Sequence, residues 1–233
     1  MENQQILVVD DDHEIVAAIA KNLESEGYTV WKAYDGMQAL EALQREKIHL
    51  VILDIMMPNM DGMSATIKIR EERNIPIILL SAKSEDSDKV LGLTMGADDY
   101  ISKPFSPSEL IARVKSQLRR YMRLGDYHAE TGDTIVLGGL TLLEQEKQLY
   151  VDGEPVRLTA TEYKILQLLM KHPGRVFSAE EIYERVWEEE AFSVENTVMV
   201  HIRRIREKIE ITPREPRYLK VVWGIGYKIE KNM

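Results

Sequence analysis

The sequence predicts an α/β protein in two parts. A doubly wound, five-stranded parallel (βα)5 domain comes first, and a second domain of short strands and three helices follows. Three observations predict this. Apolar runs at 6–9, 29–33, 50–53, 77–80 and 100–101 alternate with helical patterns, as in a parallel sheet covered on both faces. Carboxylates close two of those runs: Asp10-Asp11-Asp12 after the first and Asp54 after the third. After residue 133 the strands shorten and the pair Asp152-Gly153 marks a hairpin.

Each element has its own signal. The first run, Ile6-Leu7-Val8-Val9, is followed by a helical pattern in which Ile15 and Leu23 fall on the core side. Gly27, Gly36, Pro58, Gly62, Pro76 and Pro104 punctuate the later strands and helices. A helix from about Ser106 to Leu124 ends in Arg119, Arg120 and Arg123, and cations suit a helix C-terminus. Residues 125–133 have no apolar period and two glycines, so they are expected to link a domain at 1–124 to one at 134–233. In the second domain, strands are expected near 135–136, 140–143, 148–151 and 154–158. Thr159-x-x-Glu162 and Ser178-x-x-Glu181 are capping boxes that open two helices. A third helix spans about 194–209, and strands at 218–222 and 226–229 flank Trp223-Gly224-Ile225.

Composition narrows the class. There is no cysteine, which excludes disulfides and thiolate metal sites. The N-terminus lacks the charge and apolar pattern of a signal peptide, and no apolar run approaches the ~20 residues that span a bilayer, so a cytoplasmic protein with no membrane partner is expected. The net charge of −9 argues against a nucleic-acid partner. Local charge argues the other way. Residues 193–233 hold nine Lys/Arg against five Glu, beside an acidic block at Glu180, Glu181, Glu184, Glu188, Glu189 and Glu190. That pattern fits two faces with different partners and equally fits a solvated surface.

The acidic strand ends carry the chemistry. Strand ends on one edge of a parallel sheet converge, and carboxylates held there repel one another unless a cation lies between them. The pattern describes a magnesium pocket around one exposed aspartate, Asp54, able to accept a phosphoryl group as an acyl phosphate. Lys103, after the last strand, supplies an ammonium, and Ser81, at the end of the fourth, supplies a hydroxyl. Any one of these is an ordinary turn residue. Their joint placement on one sheet edge is the signal.

Residues 3–123, through ILVVDDD, LVILDIMMPNMDG, PIILLSA and GADDYISKPFSPSEL, resemble the receiver domain of a two-component response regulator. The resemblance implies that Asp54 is the phosphoacceptor for a sensor histidine kinase. It implies that Asp10, Asp11, Asp54 and the Met56 carbonyl hold Mg2+, and that Ser81 and Tyr100 form a switch pair. Lys103 would contact the phosphoryl group, and Lys103-Pro104 would be a cis peptide. Serine stands at 81 where threonine is commoner, and the hydroxyl is kept.

Residues GEPVRLTATEYKILQLLMKHPGRVFS, VENTVMVHIRRIREKI and YLKVVWGIGYKIE resemble the winged-helix domain of the OmpR/PhoB family. That implies double-stranded promoter DNA as partner, with 194–208 as recognition helix and 218–229 as wing. Periodicity alone buries Val198, Ile202, Ile205 and Ile209. By position, Asn196, Thr197, Val200, His201 and Arg204 are expected near bases, and Arg203, Arg206 and Lys220 near phosphates. Trp223 replaces an arginine found in some relatives. It is expected either at the DNA or packed at the wing base.

The same family implies a homodimer on phosphorylation. Lys89–Glu109, Asp98–Lys115 and Asp99–Arg113 would pair between subunits around Val90, Leu93 and Ile111, and a two-fold face must carry both signs, as this one does. The acidic block at 180–190 falls where the family meets RNA polymerase. Within the family, ELIARVKSQLRRY, VHIRRIREK and VWGIGYKIEK resemble regulators of the VanR type, which implies control of cell-envelope or glycopeptide-resistance genes. Two other readings stay open: a phosphorylation-independent DNA-binding regulator with a vestigial receiver, and an aspartate-dependent phosphatase. The phosphatase lacks a second acid two residues after Asp54, where Met56 stands.

Overall fold

The computed structural model describes residues 4–82, 92–126, 134–188, 191 and 194–231. The chain divides into two compact units between Tyr121 and Met122.

In the first unit, β1 (Gln5–Val9), β2 (Thr29–Ala33), β3 (Leu50–Asp54), β4 (Ile77–Ser81) and β5 (Asp99–Ser102) form one parallel sheet in the order β2-β1-β3-β4-β5. Every residue of β3 and β4 is buried. This is why those strands are continuous apolar runs rather than alternating ones. Helices α1 (His13–Ser25), α2 (Gly36–Arg45), α3 (Gly62–Glu72) and α4 (Pro107–Asp126) connect and cover the strands. Residues 92–94, just before β5, are also helical. In α1 it is Val16, Ile19, Ala20 and Leu23 that are buried, while Ile15 is only partly covered. Strand order reverses direction at β1, so the crevice between the C-terminal ends of β1 and β3 is open to a ligand. Val9 is in register with Leu53, which sets Asp10 beside Asp54 at that crevice.

In the second unit, β6 (Thr134–Leu137), β7 (Leu140–Leu143), β8 (Gln148–Val151) and β9 (Glu154–Val156) form an antiparallel meander. Asp152 and Gly153 both take positive φ, 50° and 90°, as the tight β8–β9 turn demands. Helices α5 (Ala160–Lys171), α6 (Ala179–Trp187) and α7 (Glu195–Ile209) pack around Leu166, Phe177, Trp187 and Ile205, and the hairpin β10 (Leu219–Val222) and β11 (Gly226–Ile229) follows. The Thr159/Glu162 capping box forms in full. Ser178 caps α6, but the Glu181 carboxylate pairs with Arg175 and Arg185.

Candidate functional site

Asp54 lies at the last position of β3 and is 5% exposed, so the expected exposed acceptor is instead recessed. Its Oδ1 is 2.6 Å from Lys103 Nζ, and the same ammonium is 2.5 Å from Asp10 Oδ2. The Met56 N–H donates to Asp54 Oδ2 at 2.6 Å. Lys103 is held from behind by its own N–H donating to the Ser81 carbonyl at 2.7 Å, and Lys103-Pro104 is cis. Ser81 and Tyr100 are both buried, at the end of β4 and within β5.

Burial and charge together set the acidities. Burial raises the Asp54 carboxyl above its ordinary value; Lys103 opposes this, and neighbouring Asp10 adds to it. Burial lowers the Lys103 ammonium, but Asp10 and Asp54 outweigh it and the net direction is up. Two carboxylates share one ammonium, so the pocket keeps a surplus of negative charge. Among the described residues, no three acidic or imidazole groups converge as a ready-made metal cluster. The ligands expected for Mg2+ are therefore not pre-assembled: Lys103 bridges two of them, and Asp11 is exposed. Their chemistry still fits the ion. Carboxylate and carbonyl oxygens are the hard donors that Mg2+ takes, and the surplus charge attracts it.

Two supports were not legible in the motif. Asp12 is the N-cap of α1, its Oδ1 accepting from Glu14 N at 2.8 Å and Ile15 N at 3.3 Å, so it braces the pocket helix. An Asp just ahead of a helical pattern is the signal that finds it. Gly62 packs so closely that an added Cβ would stand 2.0 Å from the Asp54 carbonyl oxygen, with the Gly62 N–H bonded to Ile55 O at 2.9 Å.

Within the single chain, several residues of the expected dimer face have other partners. Asp98 is 1% exposed and belongs to the interior, where its Oδ2 accepts from Arg70 at 2.5 Å and Ile77 N at 3.0 Å. Within the chain, Lys115 pairs with Glu26 at 2.6 Å. Asp99 and Arg113 pair within the chain at 3.0 Å, and Glu109 joins Arg113 at 3.3 Å. Leu93 is fully buried, Ile111 is half-buried, and Lys89 and Val90 lie outside the described residues.

The recognition helix α7 also differs from expectation. Val198, Ile202, Ile205 and Ile209 are buried as periodicity requires, but so are Thr197, Val200, His201 and Arg204. His201 is fully buried with its ring 5.4 Å from that of Trp187. Arg204 is 2.9 Å from Glu162, which is itself fully buried. Packing against Trp187 occupies His201, and the buried ion pair occupies Arg204. Glu162 is the residue that periodicity missed. It caps α5 through the Thr159 N–H and receives Lys208 Nζ at 2.7 Å. Burial pushes its carboxyl up, yet Arg204 and Lys208 together outweigh that and hold it at about 2. Among the expected contacts, Arg203 remains exposed and Asn196 half-exposed. Arg206 donates to Leu219 O at 3.0 Å, and Lys220 bonds the Pro216 carbonyl. Trp223 is 88% exposed and does not pack at the wing base.

Comparison with known proteins places this geometry. The family described as response regulator receiver domain matches residues 6–115, and that described as transcriptional regulatory protein, C terminal, matches residues 153–229. Together they define a two-component transcriptional regulator with a receiver and a DNA-binding winged-helix domain. The chain belongs to the OmpR/PhoB family of response regulators. It is similar to the regulatory protein VanR of Enterococcus faecium, with 45% identity over 98% of this chain and 100% of that one. Regulatory protein VanRc of Enterococcus gallinarum is 44% identical over the same shares. The solved structure of DrrB, an OmpR/PhoB homolog from Thermotoga maritima, is similar at 33% identity and TM-score 0.52, covering 98% of this chain and 99% of that one. Among the described residues, no helix is long and apolar enough to cross a membrane.

Proposed function

We propose that phosphoryl transfer from a sensor histidine kinase to Asp54 switches this regulator on. The observation that carries the reading is the bridge of Lys103 Nζ between Asp54 and Asp10. Asp54 Oδ1 attacks phosphorus, the bond to the donor breaks, and an acyl phosphate forms. The Lys103 ammonium offsets charge on the phosphoryl oxygens, while the Met56 N–H orients the other carboxylate oxygen. Asp10, Asp11, Asp54 and the Met56 carbonyl would hold Mg2+, which supplies further charge neutralisation when bound. An apolar groove lined by Ile15, Ile19, Pro104 and Phe105 opens beside Lys103 and suits an apolar segment of the kinase.

Phosphorylation pulls the Ser81 hydroxyl and Tyr100 toward the new oxygens and biases the receiver toward a homodimer. The dimer face includes the apolar Ile111 together with Glu109, Arg113 and Lys115, whose ion pairs exchange from partners within the chain to partners across the two-fold. The dimer places two winged helices on direct repeats in promoter DNA. Asn196 and Arg203 enter the groove, and Arg206 and Lys220 lie near phosphates. The acidic surface of α6, with Glu184 exposed, meets RNA polymerase. Kinship with VanR makes cell-envelope or glycopeptide-resistance genes the expected targets, and the cytoplasm the expected compartment.

The test uses a small phosphoryl donor, acetyl phosphate. With Mg2+ the wild type is expected to gain one phosphoryl group by mass spectrometry, to dimerise, and to bind its promoter more tightly. Asp54→Ala should do none of these. Promoter binding by Asp54→Ala equal to that of the phosphorylated wild type would replace this reading with a phosphorylation-independent regulator.

A further inference from the structure

The turn after β2 supplies no expected ligand to the phosphorylation pocket, yet it reaches both loops that do. Tyr34 stacks on His13, the first residue of α1, with ring centroids 3.9 Å apart. His13 directly follows Asp10-Asp11-Asp12. On the other side, Asp35 Oδ2 accepts from Asn59 Nδ2 at 2.9 Å, and the Gly36 N–H donates to the Met60 carbonyl at 3.0 Å. Gln38 holds the turn itself together. Its N–H donates to Asp35 Oδ1 at 2.8 Å, and its Oε1 accepts from the Tyr34 N–H at 3.2 Å.

The loop after β3 is the one that depends on this contact. It runs from Asp54 to the Asp61 cap of α3 and carries the Met56 carbonyl. Its ends are anchored by the Ile55 N–H on Leu80 O at 3.0 Å and the Gly62 N–H on Ile55 O at 2.9 Å. Between them Asn59 takes φ +61°, a left-handed conformation uncommon in a residue with a side chain. Gly36 approaches this stretch so closely that an added Cβ would stand 2.8 Å from the Met60 carbonyl oxygen. Asp35 is buried, and its two oxygens are divided between two tasks. Oδ1 caps α2, for which serine is about as good. Oδ2 takes the Gln38 amide at 3.4 Å and the Asn59 amide, 24 positions away, at 2.9 Å. Capping does not require the bond to Asn59.

We propose that Asp35 and Asn59 are positioning residues for the metal: their bond holds the loop so that the Met56 carbonyl is in place for Mg2+. This rests on the phosphorylation reading above and adds residues that touch neither the ion nor the phosphoryl group. Mg2+ demands near-octahedral ligands at about 2.0–2.1 Å, so a loop free to drift binds it less well. Partners behind metal ligands typically account for about 10–100-fold in metal affinity or activity.

The test uses the full-length chain, with Mg2+ binding measured by calorimetry. Phosphorylation by acetyl phosphate is followed by mass spectrometry across a Mg2+ series. Asn59→Gly accepts the positive φ and deletes only the amide. Asp35→Ser keeps the cap and deletes the second oxygen. Each is expected to raise the Mg2+ Kd about tenfold. Each should raise the Mg2+ concentration for half-maximal phosphorylation equally, with the rate at saturating Mg2+ and the Tm without Mg2+ close to wild type. Exchanging the pair, Asp35→Asn with Asn59→Asp, restores one donor facing one acceptor and should recover the affinity. Unchanged Mg2+ affinity in both single variants, or no recovery in the exchanged pair, overturns this inference and leaves phosphorylation of Asp54 standing. An affinity loss matched by a lower Tm without Mg2+ makes the bond a general stabiliser and also overturns it. If the wild type neither binds Mg2+ nor gains a phosphoryl group, both readings fall.

Discussion

The two domains each bury a charge cluster, and the clusters are opposite in balance. In the receiver, Asp10 and Asp54 share the single ammonium of Lys103. In the winged-helix domain, the single carboxylate of Glu162 is shared by Arg204 and Lys208. Burial works against both carboxylates. With too few cations it wins and Asp54 rises; with two cations it loses and Glu162 falls to about 2. The first cluster is left short of positive charge, and that shortage makes it receptive to a metal ion. The second is satisfied and acts as a clamp between α5 and the recognition helix.

Removing the clamp should give the largest effect. Glu162→Ala leaves Arg204 buried without its carboxylate and should cost about 3–5 kcal/mol in urea unfolding. A cost under about 1 kcal/mol would show that the recognition helix is held by its apolar stripe alone. Acid should act next. The carboxyl of Glu162 lies below its ordinary 4.5 in the folded chain, so its contribution is complete above that value and is lost as pH falls toward about 2. The shift corresponds to about 3 kcal/mol, and the acid unfolding curve of Glu162→Gln should be flatter over that window.

The receiver cluster should respond with the opposite sign. Because the Asp54 carboxyl is raised, its contribution is present below its unfolded value of 3.8 and lost as pH rises through the folded value. Asp54→Asn should therefore stabilise the chain at neutral pH, read as a higher urea midpoint. Added Mg2+ should raise the Tm of the wild type and have less effect on Asp54→Asn. Equal Mg2+ shifts in the two proteins would remove Asp54 from the metal site. The smallest effect belongs to a residue outside the charge balance. Asp12→Ala removes the α1 cap and should cost about 0.5–1 kcal/mol by thermal unfolding.

How much was legible in the sequence varied with the range of the interaction. The five-stranded sheet, the Asp152-Gly153 turn and the Thr159 capping box are written in residues a few positions apart, and all are present. The conjunction of Asp10, Asp54 and Lys103 was legible because a parallel sheet brings all its strand ends to one edge. The width of the buried face on α7 was not legible. Periodicity finds the stripe of Val198, Ile202, Ile205 and Ile209, but Trp187 and Glu162 extend the cover to His201 and Arg204.

The sequence by itself determined the order of the elements, the parallel sheet of the first domain and the meeting of Asp10, Asp54 and Lys103 at its edge. Local periodicity, turn chemistry and strand-end motifs specify these without knowledge of distant partners. Only the tertiary structure decided which charges are spent in place. Arg204 looks free to read a base until Glu162, from another helix, is seen to hold it; Asp98 looks free to pair across a dimer until Arg70 is seen to hold it. The reason is physical. A helical face follows from spacing along one segment, but the pairing of a buried charge depends on which opposite charge the fold brings within a few ångströms, and in a low-dielectric interior that pairing outweighs local pattern.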